Sequence, residues 1–168
     1  MRHIWAPWRM AYIQRDEKMS GCVLCEKWAS SDDTANYVLY RGERAYIILN
    51  LYPYNNGHLM VVPYKHVASL EDLETETLTD LMLLVNRSLA ALREAMAPHG
   101  FNIGVNLGRA AGAGIHEHVH IHIVPRWEGD TNFMPVLGET RVIPQMLEDT
   151  YARLLAVIQK GIGTDSHG

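Results

Sequence analysis

From Gly114 to Pro125 the chain reads Gly-Ile-His-Glu-His-Val-His-Ile-His-Ile-Val-Pro, which places His116, His118, His120 and His122 at a strict spacing of two. Few patterns constrain a backbone more. Side chains at that spacing share one side when the chain is extended, and the interleaved Val119, Ile121 and Ile123 favour a strand. The expectation is a strand with three or four imidazoles on one face, each about 6–7 Å from the next. Imidazole titrates near neutral pH and serves as nucleophile, acid, base or metal ligand. A solvated strand face would more often carry Thr, Lys or Glu, so the row points to chemistry. Its rival is a metal site, because His-x-His on a strand is also a ligand pattern.

The chain has 168 residues, enough for one domain with a real core. Apolar residues make up 48%, which excludes a disordered chain. The net charge of −4 argues against a surface built to bind duplex nucleic acid. No apolar run approaches the ~20 residues of a membrane span. The start, Met1-Arg-His-Ile-Trp-Ala-Pro-Trp-Arg9, lacks the pattern of a signal peptide. With two cysteines as Cys22-x-x-Cys25 there is no secreted disulfide framework. These features predict a cytoplasmic protein.

Residues 1–34 hold an aromatic segment (Trp5, Pro7, Trp8, Met10, Tyr12, Ile13) and the cysteine pair. Residues 1–19 are too apolar for a loose tail and are expected to pack on the body or on a second subunit. A short helix is expected between Ser20 and Ser31. Strand-like runs follow at Tyr37–Tyr40, Ala45–Asn50 and His58–Pro63, with Asn55-Asn56-Gly57 as a tight turn before the third. Leu78, Leu81, Met82, Val85, Leu89 and Leu92 recur at helical spacing within residues 73–97, and Pro98-His99-Gly100 ends that helix. Phe101–Leu107 reads as a strand, Gly108–Gly114 as a loop, and Trp127–Gly138 as an aromatic loop. A last helix covers Pro144–Lys160, with Pro144 in its first turn, before a frayed end at 161–168. The whole is one α+β domain: a small antiparallel sheet with helices on one side. Its parts are an N-terminal segment at 1–34, a core at 35–127 and a C-terminal loop, helix and tail at 128–168.

Gly112-Ala113-Gly114 lies directly upstream of the histidines. Glycines let the backbone approach a ligand and turn N–H groups toward an anion, and Arg109 adds a positive charge. Beside a histidine row this suggests phosphate held against imidazole; the bland reading is a plain connector. A neutral imidazole can attack phosphorus and form a phosphoramidate, splitting a displacement into two steps. The attacking nitrogen must be bare, so the other ring nitrogen must be held by an acceptor.

These residues resemble the histidine triad family, whose motif His-φ-His-φ-His-φ-φ is met by His118-Val-His120-Ile-His122-Ile-Val124. Asn50 and Gly57-His-Leu-Met-Val-Val-Pro63 are similar to the family's strand segment, and Asn106-x-Gly108 with Ala111-Gly112 to its approach to the nucleotide. The segments Trp5–Tyr12, Asn50–His58 and Pro125–Phe133 resemble the branch that cleaves diadenosine polyphosphates, the diadenosine tetraphosphate phosphorylases. The resemblance implies an antiparallel sheet of about five strands, a long helix and a C-terminal helix, with the sheet extended across a homodimer. It implies His120 as nucleophile, His122 on phosphate and assisting the leaving group, and His58 positioning the nucleophile. Asn50 would bind ribose, and Asn106, Ala113 and Gly114 would lie along the phosphates, where the loop reading already sets Arg109 and Gly112 as candidate substrate contacts. Ile47 and Leu49 would border the base or lie in the core. Two positions depart from the pattern: Asn106 stands where many members have Gln, and Gly114 where many have Ser or Thr.

A single Cys-x-x-Cys fits buried thiols, a redox pair or half a zinc site. The resemblance favours zinc: Cys22, Cys25, His66 and His118 match the ligands of family members that hold a structural ion, and His116 is the rival fourth ligand. Otherwise His116 is an exposed residue at the strand entrance. No catalytic cofactor is required, and magnesium can accompany the polyphosphate. The reading is phosphorolysis of diadenosine tetraphosphate to ADP and ATP through a nucleotidyl-His120 intermediate. The alternatives are hydrolysis by water, cleavage of adenosine phosphoramidates, a nucleotide-binding regulatory protein, or a metalloenzyme using the histidine row.

Overall fold

The computed structural model describes residues 21–130 and 145–164, with side chains to Lys160. The expectations for residues 1–19, Thr131–Gly138, Pro144 and the last four residues lie outside it. Helix α1 (Val23–Ala29) and the single turn α2 (Asp33–Asn36) lead into strands β1 (Val38–Arg41), β2 (Ala45–Leu49) and β3 (Leu59–Pro63). Helix α3 (Thr75–Met96), strands β4 (Gly100–Val105) and β5 (Ile121–Arg126) and helix α4 (Leu147–Thr164) follow. The five strands form one antiparallel sheet in the order β1-β2-β3-β5-β4.

Strands β2 and β3 are buried at every position, so both faces of the sheet are covered. Ile47, Leu49, Leu59, Val61, Ile121 and Ile123 face Leu81, Val85 and Leu92 of α3 and Leu154 and Ile158 of α4. Tyr46, Ile48, Met60 and Val62 face the other way, onto Leu24 of α1. The Tyr46 hydroxyl donates to the Leu24 carbonyl at 2.8 Å and fixes α1 there. Helices therefore cover both faces and not one. The signal was faint, because α1 has seven residues and buries only Leu24. Ile47 and Leu49 are core beneath α3 and α4, on the face away from His122. Met82 of the expected α3 stripe is 54% exposed; Leu84 is buried in its place.

Turn geometry sets the start of β3. Gly57 has φ +73°, and a Cβ there would lie 2.7 Å from the Met96 sulfur, so only glycine fits both the backbone and the space. The His58 N–H donates to the Asn55 carbonyl at 3.2 Å, closing the turn. Asp130 secures it from outside. Its carboxylate accepts from Asn55 Nδ2, Arg126 Nε and Nη2, and the Trp127 N–H, all at 2.8–3.0 Å.

The histidine row does not form one long strand. β5 begins at Ile121, and only His122 lies in the ladder. Val61 is opposite Ile121, so continued pairing would bring Pro63 opposite Val119. Pro63 has no N–H to offer, and its carbonyl accepts from His118 Nε2 at 2.8 Å. The Val119 N–H donates instead to Val67 at 2.7 Å. The helix expected to end at Lys160 continues to Thr164.

Candidate active site and metal centre

His122 stands opposite Met60 on β3 and Gly104 on β4. Directly opposed residues share a face, so its ring lies on the α1 side of the sheet. His58, fully buried, is carried to it by the Asn55–Gly57 turn. His58 Nε2 lies 3.0 Å from His122 Nδ1, and the Tyr54 N–H reaches His58 Nδ1 at 3.0 Å. A backbone N–H can only donate, so neutral His58 keeps its proton on Nε2 and donates to His122 Nδ1. Neutral His122 then carries its proton on Nε2.

His120 Nδ1 lies 2.8 Å from the His118 carbonyl. A carbonyl only accepts, so the His120 proton is on Nδ1 and Nε2 is bare. The His120 and His122 rings meet edge to face with centroids 4.7 Å apart. Burial holds both imidazoles below their usual pKa; His122 is pushed down to about 4 by burial and then by His120. Near neutral pH the pair is uncharged, with an unprotonated nitrogen on one ring and an N–H on its neighbour. That is the arrangement a nucleophile and a hydrogen-bond donor to a leaving oxygen need.

His58 is hydrogen-bonded to His122, whose ring stands against that of His120, the expected nucleophile. Sequence reasoning missed Tyr54, whose ring packs on His58 and His122 at 4.6 and 5.8 Å, and the Asp130 clamp. Tyr54 lies in Asn50–His58 and Asp130 in Pro125–Phe133, but nothing local assigns either a partner. Asn50 Oδ1 accepts from the Tyr52 N–H at 2.9 Å, and its Nδ2 lies 3.4 Å from His58 Nδ1. Val105 pairs with Ile121, so the chain leaves the sheet at Asn106 on the level of His120. In the loop, the N–H groups of Ala111, Gly112 and Ala113 close onto the carbonyls of Gly108 and Arg109. Gly108 and Gly112 take φ +78° and +85°. Arg109 is exposed and lies 3.3–3.4 Å from His116 Nε2. Among the described contacts none joins Arg109, Gly112, Ala113 or Gly114 to His58, His120 or His122.

A second cluster lies beyond Pro63. Cys22 caps α1, and Cys25 follows one turn later. Their sulfurs meet His66 and His118, with ligand atoms of all four within 4.8 Å of one another. The separations are 3.3 Å for Cys22 Sγ–His118 Nδ1, 3.3 Å for Cys25 Sγ–His66 Nδ1, 3.4 Å for Cys25 Sγ–His118 Nδ1 and 3.3 Å between the two Nδ1 atoms. Tetrahedral zinc with bonds of about 2.0 Å to N and 2.3 Å to S needs N···N near ~3.3 Å and N···S near ~3.5 Å. The donor set fits. His118 Nε2–H donates to Pro63, leaving Nδ1 bare for an ion, the usual orientation of a ligating histidine. Without an ion, burial and then Cys22 push the Cys25 thiol up to about 11. His116 is turned to Arg109 and lies outside this group.

An antiparallel five-stranded α+β fold with this imidazole set defines a histidine triad protein, and the HIT domain matches residues 32–129. The chain belongs to the HIT family, as an enzyme of its nucleotidyl transferase and hydrolase type. It is 43% identical over 163 residues to the AP-4-A phosphorylase of Mycobacterium tuberculosis, covering 93% of this chain and 83% of that one. It is 36% identical over 93 residues to the asymmetrical bis(5'-nucleosyl)-tetraphosphatase of Schizosaccharomyces pombe, covering 55% and 50%. A zinc-bound histidine triad family protein from Mycobacterium smegmatis shares the fold with a TM-score of 0.69 and 28% identity, over 86% of this chain and 97% of that one. Among the described residues no helix is long and apolar enough to cross a membrane.

Proposed function

We propose that the chain cleaves dinucleoside polyphosphates, diadenosine tetraphosphate first among them, with phosphate as acceptor. The observation that carries this is the tautomer chain from Tyr54 N–H through His58 to His122, set beside the bare Nε2 of His120. His120 Nε2 attacks one α-phosphorus. The bond from that phosphorus to the bridging oxygen breaks, and His122 Nε2–H donates a hydrogen bond to that oxygen as ATP departs as the polyphosphate anion. Phosphate then attacks the adenylyl-His120 phosphorus and leaves as ADP, returning the electron pair to Nε2. Water in that step would give AMP. Asn50 takes the ribose; Asn106, Arg109, Gly112, Ala113 and Gly114 take the polyphosphate, with any magnesium bound to it. The name of the Mycobacterium tuberculosis relative supports the substrate and the acceptor.

Cys22, Cys25, His66 and His118 hold a structural zinc in this reading. Four protein ligands close its shell, so it ties α1 to the sheet and leaves no position for substrate. The test is incubation with diadenosine tetraphosphate, with and without phosphate, and chromatography of the products. ADP plus ATP formed only with phosphate supports the reading; AMP plus ATP in both makes the chain a hydrolase. His120→Ala should abolish turnover in a folded chain, and turnover that survives would remove the covalent mechanism.

A further inference from the structure

We propose that Trp28 belongs to the metal centre, with its indole N–H as the hydrogen-bond donor to the metal-bound sulfur of Cys25. The inference rests on the zinc reading of the Cys22, Cys25, His66 and His118 cluster and adds a residue that the motif does not contain. Trp28 follows Cys25 by three positions in α1, which puts both on one side of the helix. Its Nε1 is buried and has no hydrogen-bond partner. Indole nitrogen only donates, and a buried donor left unmade is destabilising. Side chains of a helix lean back over the preceding turn, which sets the indole toward Cys25, and the Cys25 sulfur becomes a charged acceptor once an ion binds it.

The ring is held in place. It meets Tyr64 edge to face at 5.2 Å, and the Trp28 carbonyl accepts from Arg41 Nη1 at 2.6 Å. Arg41 is itself anchored on Asp33 and the Ser30 carbonyl. A neutral thiol is a weak acceptor. A metal-bound thiolate carries negative charge and free lone pairs, and its hydrogen bonds are charge-assisted. The donor is thus matched to the loaded centre and unmatched in the empty one. Outer-shell donors of this kind are worth about 10- to 100-fold in metal affinity.

Trp28→Phe keeps the ring against Tyr64 and removes only the N–H. The full chain is stripped with a chelator and titrated with zinc against a chromophoric competitor, then with cobalt. Wild type should bind one ion with a thiolate-to-cobalt charge-transfer band. The variant should bind at least ~10-fold more weakly with that band displaced, while its metal-free form melts no lower than wild type. Equal affinity and an unmoved band would reduce Trp28 to packing. No metal uptake by wild type would sink the zinc reading together with this one. A measurement on wild type alone stands beside the variant: one of the four tryptophan indole protons should move downfield as zinc is added. Four unmoved indole signals would overturn the proposal.

Discussion

His122 couples protonation to folding. Its pKa is near 4 in the folded chain and about 6.5 unfolded, because burial and His120 disfavour the cation. Above about pH 6.5 both states are neutral and the native state keeps its full margin. As pH falls through that value the unfolded chain binds the proton first, so stability drops until about pH 4, where the folded ring is also charged. From pH 7 to 5 the loss is on the order of 2 kcal/mol. Denaturant unfolding at the two pH values should show it in wild type and show a smaller loss in His122→Gln. Equal losses would mean that His122 is not the group responsible. His58 is tested by His58→Phe, which deletes the donor to His122 Nδ1 while filling the buried space. A fall in kcat on the order of 100-fold with KM little changed is expected, since the missing contact orients the His122 N–H that steadies the leaving oxygen. An unchanged kcat would remove the relay.

Elements were legible wherever their own residues dictated them. The apolar runs of β2 and β3, the long α3 and the Asn-Asn-Gly turn could be read directly, because period and turn chemistry are local. What could not be read depended on a partner distant in sequence. The alternation through His116–His122 predicts a strand, yet the ladder stops where Pro63, more than fifty residues earlier, has no N–H to give. The four histidines divide accordingly. His116 turns to Arg109, His118 to the cysteines, and His120 and His122 to each other. Helix α1 crossed to the second face because Tyr46 draws the Leu24 carbonyl there, a pairing that no periodicity reveals. The Gly57 turn offers an element-scale test. Gly57→Ala must hold alanine at φ +73° and place a methyl 2.7 Å from the Met96 sulfur. Destabilisation on the order of 2 kcal/mol is expected in a thermal melt, with turnover reduced further because the turn carries His58. A melt within a degree of wild type would mean that the turn absorbs the methyl freely.

At the scale of the molecule, the sheet ends on β4, beyond which the strand order has no further neighbour among the described residues. β4 is six residues long, Ile103 is 48% exposed on it, and Leu107 just past its end is 41% exposed. A long apolar edge is a template for another strand, and among the described residues no helix packs extensively on this strand. A second copy would pair β4 with β4 and continue the sheet, and the register Gly104–His122 would set each active site one strand from the seam. We expect a homodimer of about twice 19.0 kDa in sedimentation. Ile103→Lys sets like charges against each other across the two-fold and should shift the chain to monomer, as charged residues do on natural edges. Turnover by that monomer would separate assembly from chemistry. If Ile103→Lys sediments with wild type as a dimer, the seam lies elsewhere and the β4 edge is left open in solution.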